Sequence, residues 1–478
     1  MTNEDLCYLT ATEALKLFKS RRLSPHELML ALVTRAEAVN PVINCFADRY
    51  FEEALTHARV SEQLYMRRGA RLRPLEGIPL AVKDAQRVMG KRTTHGSLIF
   101  EDNIDTHSDP MIERLENAGA IIFARTTTPE FCLSGVCRSR LWGNTLNPWN
   151  TAYGPGGSSG GSGAALAAGI ATLATGTDIA GSIRIPAAAC GVVGFKPPHG
   201  RNPDGPPANF DRFNHCGPMT RSITDAVMMQ GITAGPHELD HDSIRQIADL
   251  PSKPVAIKGM KVAYSLDFGY VPVGEDVRKN TLKAIKLFKT LGAKVEEVEL
   301  AWTRETCDLA IHWYNTMQFG RQTVWWKKTH AHLMTDYALK VADAAERNTT
   351  IDDVHKAWEA IHRMYQIMGP ILESHDVFIC PTLNLPAVKA DHDPWDPDFR
   401  INGIRVDAEY GWIMTHQFNM LHNCPVLAVP SGLSTTGVPT GIQIVARTWD
   451  DARVFKAGFA YEKAVGGWFN KKSKRPGF

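Results

Sequence analysis

Gly154-Pro155-Gly156-Gly157-Ser158-Ser159-Gly160-Gly161-Ser162-Gly163 leads without a break into Ala164-Ala165-Leu166-Ala167-Ala168. Six glycines and three serines in ten residues would form a flexible linker if they separated regions of different composition. They do not, because a helical Ala/Leu pattern starts at once. Glycines crowded before a helix indicate backbone that approaches a neighbour closely or turns through positive φ. They also leave amide N–H groups free at a helix start, which suits an anion or a developing oxyanion. No Lys follows at the GxxxxGK[ST] position, and Ser159 stands where GxGxxG needs its third glycine, so both nucleotide loops fail. The segments 156–160 and 157–161 both fit GxSxG, which leaves an esterase with its nucleophile at Ser158 or Ser159 open. That elbow needs an apolar strand before it, whereas Leu146 to Tyr153 reads as loop.

Outward from this run the chain alternates helix, glycine and apolar strand, the rhythm of an α/β protein. Gly77-Ile78-Pro79-Leu80-Ala81-Val82-Lys83-Asp84 is a strand-like run ending in charge. Pro110 to Ala118 reads as a helix stopped by Gly119, with a buried strand from Ala120 to Ala124. Val277 to Leu291, Gly292 and Lys294 to Leu300 repeat the pattern. Asp376 to Pro381, Cys424 to Pro430 and Gly441 to Ala446 read as late strands. The first 75 residues are helical, with a capping box at Thr10-Ala11-Thr12-Glu13 and a helix after Ser24-Pro25. The region from about 300 to 370 is mostly helical and holds Trp302, Trp313, Trp325, Trp326 and Trp358, as helix core or as an apolar lid over a pocket.

Composition narrows the function. Of 478 residues, 53 are Lys or Arg and 51 are Asp or Glu, giving a net charge of +2 and no general attraction to nucleic acid or anionic membrane. No run of about 18 apolar residues would cross a bilayer. The polar, acidic N-terminus does not read as a secretory signal. Nine cysteines without a CxxC pair fit reduced thiols, and the expected location is cytoplasmic. His330-x-His332 has metal-like spacing, but only Asp336 stands near as a third ligand, and the pair reads as surface histidines.

Further motifs follow in order: Gly176-Thr177-Asp178-Ile179-Ala180-Gly181-Ser182-Ile183-Arg184-Ile185-Pro186-Ala187, then Cys190-Gly191 and Gly194-Phe195-Lys196-Pro197. With the lysine strand, the Gly/Ser run and the closing strands, the sequence resembles the amidase signature family of serine hydrolases. The resemblance covers roughly residues 8 to 230 and 375 to 460. It implies one compact α/β domain of amidase-signature fold, a mixed central β-sheet covered by helices on both faces. Within it, 1–75 is an N-terminal helical segment and 76–235 the catalytic core. Residues 236–375 are a variable, substrate-shaping region, and 376–478 complete the core.

The resemblance also implies a triad: Ser182 as nucleophile, Ser158 as a bridging serine on a cis peptide bond, and Lys83 as terminal base. Ile179, Ala180, Gly181 and Ser182 would present the oxyanion-hole amides, Asp178 and Arg184 would brace their loop, and Cys132 and Gly157 would line the substrate pocket. The chemistry is self-consistent. A serine needs a base to become nucleophilic, and a lysine serves only when neutral, with its pKa lowered from about 10.4 toward about 7–8. The apolar run around Lys83 supplies the desolvation. Ala180 stands where the family commonly has glycine, and its methyl trims the pocket beside the hole. The expected activity is hydrolysis of a small-molecule amide, and also of esters or carbamates, without metal or organic cofactor, with apolar or aryl substrates favoured. A glutaminase-like subunit of a tRNA-dependent amidotransferase and a non-catalytic binding protein are the alternatives besides the esterase. The oligomeric state is open, a homodimer included.

Overall fold

The computed structural model describes residues 2–313, 319–347 and 350–478. Eleven strands form one mixed sheet. In chain order they are β1 (Phe46–Arg49), β2 (Pro79–Lys83), β3 (Ile121–Thr126), β4 (Leu173–Asp178), β5 (Val193–Lys196), β6 (His215–Thr220), β7 (Lys261–Tyr264), β8 (Lys294–Glu297), β9 (Val377–Pro381), β10 (Val426–Leu433) and β11 (Pro439–Val445). Across the sheet they run β1-β3-β2-β4-β6-β5-β10-β11-β9-β7-β8. β2 is parallel to β3 and β4. From β4 to β9 neighbouring strands are antiparallel, and β7 and β8 extend the far edge in parallel.

Side-chain alternation explains why helices cover both faces. Along β9, Val377 and Ile379 enter one core while Phe378 and Cys380 enter another. Leu427 and Val429 divide from Val426 in the same way along β10. Strands buried on both faces read as continuous apolar runs, which is how these segments look in the sequence. The N-terminal helices α1 (Ala11–Lys19), α2 (Pro25–Ile43) and α3 (Phe51–Met66) share a core with β2, β3 and α4 (Pro110–Asn117). α5 (Gly160–Ala167), buried along its length, joins that core, and α6 (Arg184–Cys190) lies beside it. α7 (Ile223–Thr233), α8 (Glu275–Thr290) and α12 (Asp451–Val465) cover one face of the later strands. On the opposite face α11 (Ile351–Ser374) packs with Trp302. Between them in sequence, α9 (Phe319–His330) and α10 (Asp336–Arg347) form a helical pair. No helix among the described residues is long and apolar enough to cross a membrane.

The local readings hold closely. Thr10 with Glu13, and Ser24 with Glu27, form reciprocal capping boxes. The strand read to Leu300 ends at Glu297, because its partner β7 ends at Tyr264. The tryptophans divide. Trp302 is buried, Trp325 and Trp358 are exposed, and Trp326 reaches a cavity. The remainder of that segment, 314–318 and 348–349, lies outside the described residues.

One boundary differs more. The helix read from Ala164 begins at Gly160, inside the glycine run. Packing explains it: a Cβ on Gly161 would lie 2.6 Å from the Cys45 carbonyl oxygen, and one on Gly163 would lie 3.0 Å from the Pro186 carbonyl oxygen. The glycines let the first turn of α5 rest on backbone. Gly161→Ala is therefore expected to destabilise the fold by about 1–3 kcal/mol, read as a lower midpoint in urea unfolding.

Candidate active site

Three chain segments converge at the carboxyl ends of the parallel strands, the usual ligand edge of an α/β sheet. Lys83 is the last residue of β2, Ser158 lies two residues before α5, and Ser182 lies on the loop between β4 and α6. Lys83 Nζ is fully buried, 2.6 Å from Ser158 Oγ and 2.7 Å from Thr177 Oγ1. The Gly157–Ser158 peptide is cis. Ser158 and Ser182 face the same cavity of about 530 Å³. Ser159 stitches the loops together, its amide donating to the Ser182 carbonyl at 3.1 Å and its hydroxyl to the Thr177 carbonyl at 3.3 Å.

Burial lowers the Lys83 pKa below its ordinary value, opposed by the neighbouring thiols of Cys132 and Cys137. Its hydrogen-bond partners are the hydroxyls of Ser158 and Thr177, and among the described residues no carboxylate is in hydrogen-bond contact with the amine, so burial acts against the charged form.

The loop carrying Ser182 is fixed from below. Asp178 accepts the Gly181 amide at 2.8 Å and the Ile183 amide at 3.2 Å, and pairs with Arg184 through two contacts of 2.9 Å. Burial pushes the Asp178 carboxyl up, but the Arg184 guanidinium outweighs it and holds the group below the usual carboxylate range. Arg184 donates onward to the Thr415 carbonyl, Gln443 Oε1 and Asn419 Oδ1. Thr415 Oγ1 donates to the Ala180 carbonyl at 2.6 Å. The peptide joining Ala180 to Gly181 is thus held at both its carbonyl and its amide. Gly181 has φ +124°, and a Cβ there would lie 2.5 Å from Thr415 Cβ, so only glycine fits. Among the described residues, the amides of Ile179, Ala180 and Ser182 have no acceptor, whereas that of Gly181 serves Asp178.

The structure brings together Ser158, Ser182, Ile179 and Cys132 around the cavity, with the fully buried Lys83 held against Ser158. Gly157 and Ala180 border a smaller chamber on the other side of Ser182. Asp178 and Arg184 sit behind the loop, as expected for a brace. Thr177, Ser159 as a stitch, Thr415, Asn419 and Gln443 escaped the sequence reading. Thr177, Ser159 and Gln443 carried a signal, their places inside the Gly176–Ala187 motif, the Gly/Ser run and the closing Gly441–Ala446 strand. His330 and His332 sit away from this cavity's lining, and no metal-holding cluster of His, Cys, Asp or Glu occurs among the described residues.

The lysine has a thermodynamic signature. Its lowered folded value means that the unfolded chain binds the proton more tightly. Stability therefore rises with pH from the folded value up to the ordinary value of 10.5. Lys83→Met removes this contribution. Its unfolding free energy, read from urea titrations, is expected to climb less with pH than that of the wild type, by up to about 1.4 kcal/mol per pH unit. Equal slopes would count against a neutral amine.

Comparison with known proteins agrees with this geometry. The family model described as Amidase matches residues 27–455. An acylamidase of Rhodococcus erythropolis is 34% identical over 476 residues, covering 99% of this chain and 98% of its own. A glutamyl-tRNA(Gln) amidotransferase subunit of Geobacter metallireducens is 29% identical, covering 98% of this chain and 99% of its own. The crystal structure of a bacterial aryl acylamidase of the amidase signature family superposes with a TM-score of 0.89 at 27% identity, covering 98% of this chain and 97% of its own. Sequence and overall fold agree along nearly the whole chain, and the protein belongs to the amidase signature family of hydrolases.

Proposed function

We propose that the protein hydrolyses the C–N bond of a linear carboxylic amide through an acyl-enzyme on Ser182, with Ser158 as bridging serine and neutral Lys83 as base. The observation that carries this reading is the Lys83–Ser158 contact of 2.6 Å opening onto the cavity that Ser182 shares. Ser158 passes a proton to Lys83 Nζ as it accepts the Ser182 hydroxyl proton, and Ser182 Oγ attacks the carbonyl carbon. The oxyanion meets the amides of Ile179, Ala180 and Ser182, which lack other acceptors. Lys83 then returns its proton through Ser158 to the departing nitrogen. Water repeats the sequence and releases the acid. Ester or carbamate cleavage passes through the same oxyanion.

The cavity supports an apolar or aryl substrate. Its volume falls in the range of small-molecule sites. Phe100 packs edge-to-face with Trp326 at 5.0 Å and with Phe131 at 6.2 Å, leaving aromatic surface along one wall. The bacterial aryl acylamidase is named for substrates of the aryl kind. A glutaminase-like reading is favoured by the near full-length likeness to the amidotransferase protein of Geobacter metallireducens. Hydrolysis of glutamine in preference to every acyl anilide would decide for it. The esterase reading has less support, since the Ser159 hydroxyl is engaged by the Thr177 backbone.

The direct test is peptide mapping after treatment with a small fluorophosphonate. A single adduct on Ser182 is expected, lost in Lys83→Ala, and an adduct on Ser158 or Ser159 would overturn the assignment. The rate should rise with pH along an acid limb, since only the neutral Lys83 accepts a proton. Thr415→Val frees the Ala180 carbonyl and should lower kcat by up to about 100-fold with little change in KM, while Thr415→Ser restores it. An unchanged kcat in Thr415→Val would show that the loop holds its shape without this bond.

A further inference from the structure

The aromatic wall of the cavity is assembled from three separate stretches of chain. Phe100 closes a short turn at Leu98–Phe100, Phe131 lies in the turn Glu130–Cys132, and Trp326 belongs to α9. All three rings line the cavity that Ser158 and Ser182 face.

One carboxyl group meets all three stretches. Glu130 is buried, and its Oε1 accepts from Ser97 Oγ at 2.6 Å. Ser97 Oγ also accepts the Ile99 amide at 3.2 Å, so it caps the turn that carries Phe100. Glu130 Oε2 accepts from the Thr335 amide and from Thr335 Oγ1, each at 2.6 Å. Thr335 stands immediately before α10, which shares a small core with α9 through Val324, Ala342 and Ala345. Phe131 follows Glu130 directly in the chain. The donors are two hydroxyls and an amide, and a buried carboxyl occupied in this way fixes the groups around it.

Tyr337, the second residue of α10, locks the same joint. Its hydroxyl accepts the Glu130 amide at 2.6 Å and donates to the Arg138 carbonyl at 2.7 Å. Phe131 and Trp326 both pack against the buried cluster of Leu133, Met334, Tyr337, Ala338 and Val341. The joint also holds unfavourable backbone. Phe131 and Cys132 have φ of +52° and +61°, a region that residues other than glycine resist. Such backbone persists only where its surroundings over-determine it.

We propose that Glu130 is a positioning residue for aryl recognition, which sets the spacing of Phe100, Phe131 and Trp326 with the help of Thr335 and Tyr337. The inference rests on the amide-hydrolase reading above and assigns its aryl preference to this joint. Glu130 does not itself line the cavity, so a change there reaches the substrate only through the rings.

Acetamide, acetanilide and benzamide test this, the last two adding a phenyl ring on the nitrogen or on the acyl side. In Glu130→Gln and in Thr335→Val, KM for at least one phenyl substrate should rise about 3- to 10-fold with kcat nearly kept, while KM for acetamide changes less. Thr335→Ser keeps the hydroxyl and should restore the wild-type values. If Glu130→Gln does not fold, Thr335→Val carries the test alone, since it removes one hydroxyl and leaves the Thr335 amide on Glu130. An equal loss on acetamide, or phenyl KM values untouched by the variants, would overturn the assignment. Calorimetry with benzamide on Ser182→Ala, with and without Thr335→Val, reads the wall without turnover. Weaker binding to the double variant, with no amide hydrolysed by the wild type, would keep the joint and remove the hydrolytic reading. Hydrolysis of the amides by the wild type, with benzamide bound equally by both Ser182 variants, would do the reverse.

Discussion

The buried pair between Asp178 and Arg184 is the constraint on which the site rests. Removing one partner of such a pair costs about 3–5 kcal/mol, because the other is left charged and unpaired. Here the pair also shapes backbone. Asp178 gathers the amides of Gly181 and Ile183, and Arg184 reaches across to the segment holding Thr415, Asn419 and Gln443. Side chains remote in sequence thus decide which way each peptide of the nucleophile loop points. The loop is pre-organised by hydrogen bonds on its protein side, while among the described residues the amides of Ile179, Ala180 and Ser182 have no acceptor.

The two charged ends of the site follow opposite rules. Arg184 and Asp178 are buried with every strong donor and acceptor engaged, which makes them rigid and inert. Lys83 is buried among hydroxyls and thiols that share its hydrogen bonds without offering a counter-charge. Burial there lowers the lysine's pKa. The same sheet edge therefore supports a paired arginine and a lysine without a carboxylate in hydrogen-bond contact, and the difference lies in the partners.

Much of this was legible in the chain. Lys83, Ser158 and Ser182 each sit in a short stretch of unusual composition: a strand ending in charge, a glycine–serine run, and a glycine-flanked serine before an arginine. The apolar runs of β9, β10 and β11 announced strands buried on both faces. What stayed hidden was the support. Gln443 is a lone polar residue in the apolar run of β11, Thr415 and Asn419 belong to a mixed polar and apolar stretch, and they meet Arg184 across sequence separations of 259, 231 and 235. No periodicity or local motif encodes a contact of that range. The start of α5 was hidden for a related reason. Glycine is a poor helix former in isolation, and only the closeness of Cys45, Thr127 and Pro186 makes it the residue that fits.

The sheet order has a consequence for how the molecule is made. The hairpin of β10 and β11 lies in the middle of the sheet, between β5 and β9, although its strands come last of the eleven in chain order. The Ser182 loop, translated more than two hundred residues before Thr415, therefore waits with Arg184 short of its acceptors at Thr415, Asn419 and Gln443. Contacts of such long range form late and slowly. A nascent chain short of the hairpin holds a Ser182 loop without the bonds that brace it, so the loop takes its final shape only once the hairpin has joined the sheet.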